Sequence, residues 1–455
     1  MAHRMRGRYA LVLVGSLLMA SPGVAQTSTP GVPALDSIAA AYVQYAENDL
    51  PRHFTTPALN NLFDNTPADN AITDAGAELG RVLFYDTRLS HNNGTSCASC
   101  HTQETGFTDP DQLSTGFEGG LTGRHSMALA NARWYASGRF FWDERAATLE
   151  DQVLAPIQDA VEMGSDLTEL VAELGATMFY PVLFERAFGD SDVTSDRMSR
   201  ALAQFVRSMV SYQSPYDRAL AAGINGNPNF AAVPEIANPA LAAQGHGIFG
   251  ATCAGCHRTD VQVANNTFNT GLDATITDAG ASNGRFKTPS LRNIDVRGSF
   301  MHDGLFQTLE EVIEFYSSGI QNNPGLGPGL PVGGFNFSAA QKAALLAFLR
   351  TLTDNTFLTS DLFSNPFVEL AGDFDGSGLV DTADLAVWQA GYATGQYGGA
   401  DFLKWQRNLG ASWQDLQPPV ASSLGAVPEP SGMILMLVGS LIALSRRTSR
   451  GPPCY

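Results

Sequence analysis

Cys97-Ala-Ser-Cys100-His101 recurs as Cys253-Ala-Gly-Cys256-His257, 156 positions further along the chain. Two thiols spaced by two residues and followed at once by an imidazole are what covalent haem attachment requires. The thiols add across the two vinyl groups, and the histidine reaches the iron from the proximal side. A zinc site needs its ligands closer together in the chain. The two units use four of the five cysteines and leave only Cys454, so a disulfide framework is excluded. His101 and His257 are the predicted proximal iron ligands, and two covalently bound c-type haems, held by Cys97, Cys100, Cys253 and Cys256, are the predicted cofactors.

Around both motifs the chain reads as helix. Asp74 to Leu89 has helical periodicity and ends near the Asn92-Asn93-Gly94 turn, just before the first motif. Leu241 to Ala251 leads in the same way into the second. This pairing predicts a distant internal duplication of one cytochrome module. Thr148-Leu-Glu-Asp151 and Thr308-Leu-Glu-Glu311 read as helix N-termini. Asp196 to Tyr212 carries Met198, Leu202, Phe205 and Met209 at helical spacing, and Ser338 to Leu352 reads as an amphipathic closing helix. No alternating strand pattern stands out. The expected fold is mainly α, with haem modules over 35–225 and 232–356 on either side of the turn-rich Gly223-Ile-Asn-Gly-Asn-Pro-Asn stretch.

Composition and termini bound the rest. A net charge of −18 excludes a nucleic-acid binder, which shows basic stripes. Arg4, Arg6 and Arg8, the apolar run Ala10 to Ala20, and Gly23-Val-Ala25 read as a signal peptide over 1–25. The chain is therefore expected in the periplasm or at the cell envelope. Near the other end, Asp373, Asp375, Ser377, Leu379 (through its carbonyl), Asp381 and Asp384 stand at the ligand positions of a calcium loop, with Gly378 at its turn. The segment 368–412 is expected to be a small α calcium-binding module that resembles dockerin repeats. Val427-Pro-Glu-Pro430 followed by the apolar run Met433–Leu444 and Arg446-Arg447 resembles a PEP-CTERM sorting tail over 427–450. Such a tail implies an exosortase-like partner. Its apolar run is short of an ordinary span, and a simple C-terminal anchor is the other reading.

Four longer blocks carry a further resemblance: Leu79 to Ser90, Gly106-Phe-Thr-Asp-Pro110, Phe140 to Gly164, and Phe286 to Tyr316. They are similar to the bacterial dihaem cytochrome c peroxidases, including the MauG branch, from about Asp74 to Thr353. The resemblance implies a peroxidatic N-terminal haem, with Glu162 as the acid–base group and Gln152 beside it. It implies Trp142 as a relay between the haems. A carboxylate on an open distal face can take a proton from bound peroxide and return it to the leaving oxygen. At the second haem, the family's methionine ligand falls on Tyr316, as it does in the MauG branch; Met301 is the competing ligand. The family's blocking distal histidine falls near Phe117, and His125 stands where an asparagine contributes to an inter-haem calcium site. That leaves the first haem open and the inter-haem calcium in doubt. The implied substrate is hydrogen peroxide, and the implied donor a cytochrome c or cupredoxin. MauG-like oxidation of another substrate through high-valent haem iron, and a non-catalytic electron-transfer cytochrome, are the alternatives. The tryptophan that MauG carries before its second motif has no counterpart here, since Phe249-Gly-Ala-Thr252 precedes Cys253.

Overall fold

The computed structural model describes residues 31–35, 45–46, 50–135, 137–258, 260–263 and 265–417. The expected signal peptide and sorting tail lie outside them.

Short helix α1 (Pro57–Phe63) precedes α2 (Asp74–Tyr85), and the first haem motif forms the one-turn helix α3 (Cys97–Cys100). Then follow α4 (Leu149–Gln158), α5 (Leu167–Ala176), α6 (Tyr180–Phe188) and α7 (Ser195–Ser208). Helix α8 (Pro215–Ala221) leads to the second half, with α9 (Pro239–Thr252), α10 (Leu309–Glu314), α11 (Ala339–Arg350) and the short α12 (Asn355–Leu358). Helices α13 (Thr382–Thr394) and α14 (Gly399–Asn408) close the described chain. Strand content is minimal. Strand β1 (Val32–Pro33) pairs antiparallel with β4 (Phe367–Val368), and β2 (Thr267–Phe268) with β3 (Phe286–Lys287).

The helix ends follow local chemistry. The Thr148 hydroxyl accepts from the Asp151 N–H to start α4. Thr308 and Glu311 form a reciprocal capping box on α10, as do Ser338 and Gln341 on α11. Helix α7 stops at Ser208, four residues short of the sequence expectation, where Met209 leaves helical geometry.

The duplication is carried by the backbone. In each half the helix before the haem motif crosses the closing helix on a glycine. A Cβ on Gly80 of α2 would lie 2.1 Å from the Ala201 carbonyl oxygen of α7, and one on Gly245 of α9 would lie 1.9 Å from that of Ala344 on α11. Only glycine permits these approaches. Phe140 bridges Ala146 in the first half as Phe300 bridges Phe306 in the second. Within these loops Phe141 and Met301 both adopt left-handed φ, at 67° and 72°. Asn131 and Asn293 are a further left-handed pair, and both bind Ser211, which joins the halves.

The core does not follow the expected division of the chain. Leu79, Leu83 and Phe84 of α2 and Phe205 of α7 share one buried cluster with Phe357, Phe363, Val380, Trp405 and Trp413. The segment expected as an appended calcium-loop module is thus built into the first haem unit. The second unit has its own cluster around Phe249, Phe348 and Ile313. A small cluster of Phe54, Trp134, Val210, Val261 and Val263 lies apart from both.

Candidate functional site

Each motif opens onto a cavity. The first, of about 590 Å³, is lined by Cys97, Cys100 and His101. The second, of about 200 Å³, is lined by Cys253, Cys256 and His257. The four thiols form no disulfide. Burial pushes them up, Cys97 to about 12 and Cys100 and Cys253 to about 11, so they stay neutral. Burial also holds both histidines below their ordinary value, His257 at about 4. Neutral thiols and neutral imidazoles facing a cavity are the donor set a c-type haem needs, so the residues fit the group.

The two proximal histidines differ. His101 Nδ1 lies 2.9 Å from the Phe107 carbonyl oxygen, which leaves Nε2 for iron and raises its basicity. His257 Nδ1 is buried with no hydrogen-bond partner among the described residues.

The helix over each cavity uses the same four positions. Leu149, Gln152, Val153 and Pro156 of α4 line the first cavity. Leu309, Val312 and Ile313 of α10, with Tyr316 just beyond it, line the second. Pro156 and Tyr316 are therefore structural counterparts. Helix α4 ends at Gln158, and the following turn brings Glu162 to the first cavity, together with Asp159. Helix α10 instead widens into a π-helical turn over Phe315–Gly319, which carries Tyr316 to the second cavity. Such turns often mark functional positions.

Glu162 and Gln152 share the first cavity with the haem-attachment residues. Burial, then the neighbouring Asp159 charge, raises the Glu162 carboxyl above its ordinary value, while Arg145 opposes this. Among the described residues no Asp or Glu lines the second cavity. There, burial and the Cys253 and Cys256 thiols hold the Tyr316 phenol above its usual range. Met301, the competing ligand, lines the same cavity.

Trp142 lines both cavities. Its indole N–H donates to the His125 carbonyl at 2.7 Å, and its own carbonyl accepts from the Lys287 N–H at 2.8 Å. His125 is buried, with Nε2 3.0 Å from the Thr108 hydroxyl and Nδ1 3.1 Å from the Gln112 carbonyl oxygen, so both nitrogens are engaged in the protein frame. Phe117 is not among the lining residues of the first cavity; its backbone N–H donates to the Glu162 carbonyl.

Sequence reasoning missed two residues. Asp159 tunes Glu162 and accepts from the Val161 and Glu162 N–H groups; the signal was its position three residues before Glu162. Lys287 is buried with its Nζ over the Tyr135 ring, 3.1 Å from its centroid, and it donates to the Arg139 carbonyl. It lines both cavities, and burial holds its pKa well below the ordinary lysine value.

In the C-terminal loop, Asp373, Asp375 and Asp384 converge, with one oxygen of each within 4.8 Å of the others. The Gly378 N–H donates to Asp373 Oδ2. Burial, with Asp375 and Asp384 close by, pushes Asp373 up to about 7. Asp381 is not in this cluster; it caps α13 by accepting from the Ala383 N–H. The Ser377 hydroxyl lies 3.3 Å from the Leu379 carbonyl oxygen within the loop.

Two unequal haem cavities on a duplicated α scaffold define a peroxidase-like dihaem oxidoreductase, and known proteins agree. Residues 74–224 match the family model described as di-haem cytochrome c peroxidase, and 242–353 match cytochrome c. The chain is 33% identical over 298 residues to methylamine utilization protein MauG of Methylophilus methylotrophus, covering 63% of this chain and 84% of that one. It is 30% identical to the cytochrome c551 peroxidase of Nitrosomonas europaea, covering 61% and 79%. Among solved structures, a MauG-like protein associated with microbial copper homeostasis superposes with a TM-score of 0.59 at 32% identity, covering 70% of this chain and 99% of that one. The chain belongs to the dihaem cytochrome c peroxidase and MauG family and carries two c-type haems.

Proposed function

We propose that hydrogen peroxide is reduced in the first cavity, with Glu162 as the acid–base group, and that electrons reach it through the second haem from a small external cytochrome c or cupredoxin. The observation that carries this reading is the asymmetry of the cavities: Glu162 and Gln152 line the first, whereas the second has Tyr316 and no lining carboxylate among the described residues. Bound haem supplies the iron that takes up peroxide in one cavity and the electron store in the other. The protein supplies proton control. Glu162 accepts the peroxide proton and delivers it to the departing oxygen, which leaves as water. Its raised pKa matches this two-way task. Gln152, half-buried on α4, hydrogen-bonds peroxide and orients it. Trp142, lining both cavities, offers a π-system for electron passage. Tyr316 would hold the second iron, where a phenolate would favour the oxidised metal, and Met301 in the same cavity stands as the rival ligand.

The test is cyanide titration followed by EPR. Cyanide is expected to convert the first haem's signal and leave the second unchanged. Binding at neither haem in any redox state would remove the enzymatic reading.

MauG-like oxidation of another substrate is the second reading, favoured by Tyr316 in the second cavity. Turnover that needs peroxide but no external donor would select it. Calcium in the 373–384 loop is supported by the three converging carboxylates. Export to the periplasm or envelope, and recognition of the 427–450 tail by an exosortase-like enzyme, rest on the sequence alone. Cell fractionation of a chain lacking 427–450 tests the latter, and unchanged envelope association would overturn it.

A further inference from the structure

The back of the acidic loop holds the first haem unit. Asp373 is only 6% exposed, and its Oδ1 has no hydrogen-bond partner among the described residues, although it belongs to a cluster of three carboxylates. Carboxylates this close repel unless a cation offsets them. Oxygen donors in a loop with a left-handed glycine suit a hard divalent ion such as calcium.

The same loop faces inward through its peptide groups. The Gly376 carbonyl accepts from Arg88 Nη2 at 2.7 Å, and the Ser377 carbonyl accepts from the Met178 N–H at 2.9 Å. A Cβ on Gly378 would lie 3.4 Å from the Cβ atoms of Met178 and Trp413 and 3.5 Å from the Phe179 ring, so the loop backbone packs against these three residues. Arg88 is buried. It pairs with Asp86 at 3.0 Å, also reaches the Gly31 carbonyl, and lies over the Phe179 ring. Asp86 in turn accepts from the Tyr180 hydroxyl at 2.6 Å. Arg88 belongs to the tight turn Thr87–Leu89, between α2 and the first haem motif. That turn reaches the acid–base segment directly. The Leu89 carbonyl accepts from the Ser165 hydroxyl at 2.9 Å, and the His91 N–H donates to the Met163 carbonyl at 2.8 Å. Met163 adjoins Glu162.

We propose that a divalent cation bound by Asp373, Asp375 and Asp384 acts as an intramolecular clasp, holding the Arg88 turn and, through it, the Glu162 segment of the first haem unit. The partner of the loop is this chain itself. The inference rests on the calcium reading given above. The cation draws the three carboxylates together and fixes the loop peptides; those peptides present the carbonyls that hold Arg88 and Met178. Linkage makes the coupling reciprocal, so order in the first haem unit raises cation affinity by the same factor.

The experiment compares the full holoprotein in calcium and in EGTA. Terbium luminescence and calcium titration report binding, and amide hydrogen exchange reports order over 86–96 and 160–166. A ligand bound only to the closed form protects it by a factor of 1 + [L]/Kd, roughly 100-fold at one hundred times Kd. Protection of up to that size is expected in both segments of the wild type. It is expected to be absent in Asp375→Asn, which alters the exposed member of the cluster and leaves the buried frame in place. Calcium binding with unchanged exchange in 86–96 and 160–166 would overturn the clasp and leave the calcium site standing. No binding at millimolar calcium would overturn the calcium reading itself.

Discussion

The first haem unit and the second place the same helix over the same side of the cavity and end it differently. Four lining positions of α4 recur four for four in and just beyond α10, from Leu149 and Leu309 to Pro156 and Tyr316. Pro156 lacks an N–H and sits two residues before the end of α4, so the chain turns away and returns with Glu162. In the second unit no proline intervenes. The helix widens by one residue per turn and delivers a phenol where the first unit has a pyrrolidine ring. A duplicated scaffold thus brings a carboxylate to one cavity and a phenol to the other through the way one helix stops. The proximal side adds to the contrast, because only His101 has a carbonyl partner at Nδ1.

The largest expected effect comes from removing the group proposed as the acid–base catalyst of the first cavity. Glu162→Gln keeps the shape and loses the proton acceptor. Peroxide turnover should fall by about 10²–10⁴ in kcat/KM, the usual contribution of a positioned acid–base group. The second haem's optical spectrum should not change. Retention of wild-type kcat/KM would mean that the carboxylate is a bystander.

Tyr316→Met approaches the contrast from the other side. Methionine ligation raises a haem potential, and axial ligands span roughly 0.8 V overall. The second haem's midpoint should move upward by on the order of a few tenths of a volt, with a new EPR signal, while the first haem is untouched. An unchanged second-haem signal would transfer the ligand role to Met301.

The shared scaffold can be tested by stability. Gly245→Ala puts a methyl group 1.9 Å from the Ala344 carbonyl oxygen, and Gly80→Ala puts one 2.1 Å from that of Ala201. Backbone has to move in both cases, and overpacking of this kind costs about 1–3 kcal/mol. Denaturant unfolding of the holoprotein should show similar losses for the two variants. A loss confined to one would show that the two helix crossings are not equivalent.

Much of this was legible in the sequence, and the reason is chemical. Cysteine pairs followed by histidine announce haem attachment, and Thr-Leu-Glu marks the start of α4 and of α10 because a hydroxyl cap and an early carboxylate satisfy free N–H groups. The loops around Phe141 and Met301 gave no such signal, since a left-handed aromatic or methionine has no sequence mark. The docking of the C-terminal segment on the first unit was illegible for a similar reason. Arg88 binds the carbonyls of Gly31 and Gly376, which lie 57 and 288 positions away. A backbone acceptor is the same for every residue, so nothing in residues 368–412 advertised the contact.

The smallest expected effect sharpens the assignment of Glu162. The carboxylate is the form that accepts the peroxide proton, so kcat/KM rises as pH rises through the Glu162 pKa. Burial and the Asp159 charge put that midpoint above the ordinary glutamate value of about 4.3. Asp159→Asn removes the charge but keeps a side-chain oxygen for the Val161 and Glu162 N–H groups. The acidic limb of the pH–rate profile should therefore shift to lower pH, because the charge that helps burial raise the Glu162 carboxyl is gone. Rates on the plateau should hold, because the turn is preserved. A limb that stays in place in Asp159→Asn but disappears in Glu162→Gln would assign the titration to Glu162 and its burial alone. A limb unmoved in both would assign it elsewhere, and the acid–base role would have to be sought among the other groups lining the first cavity.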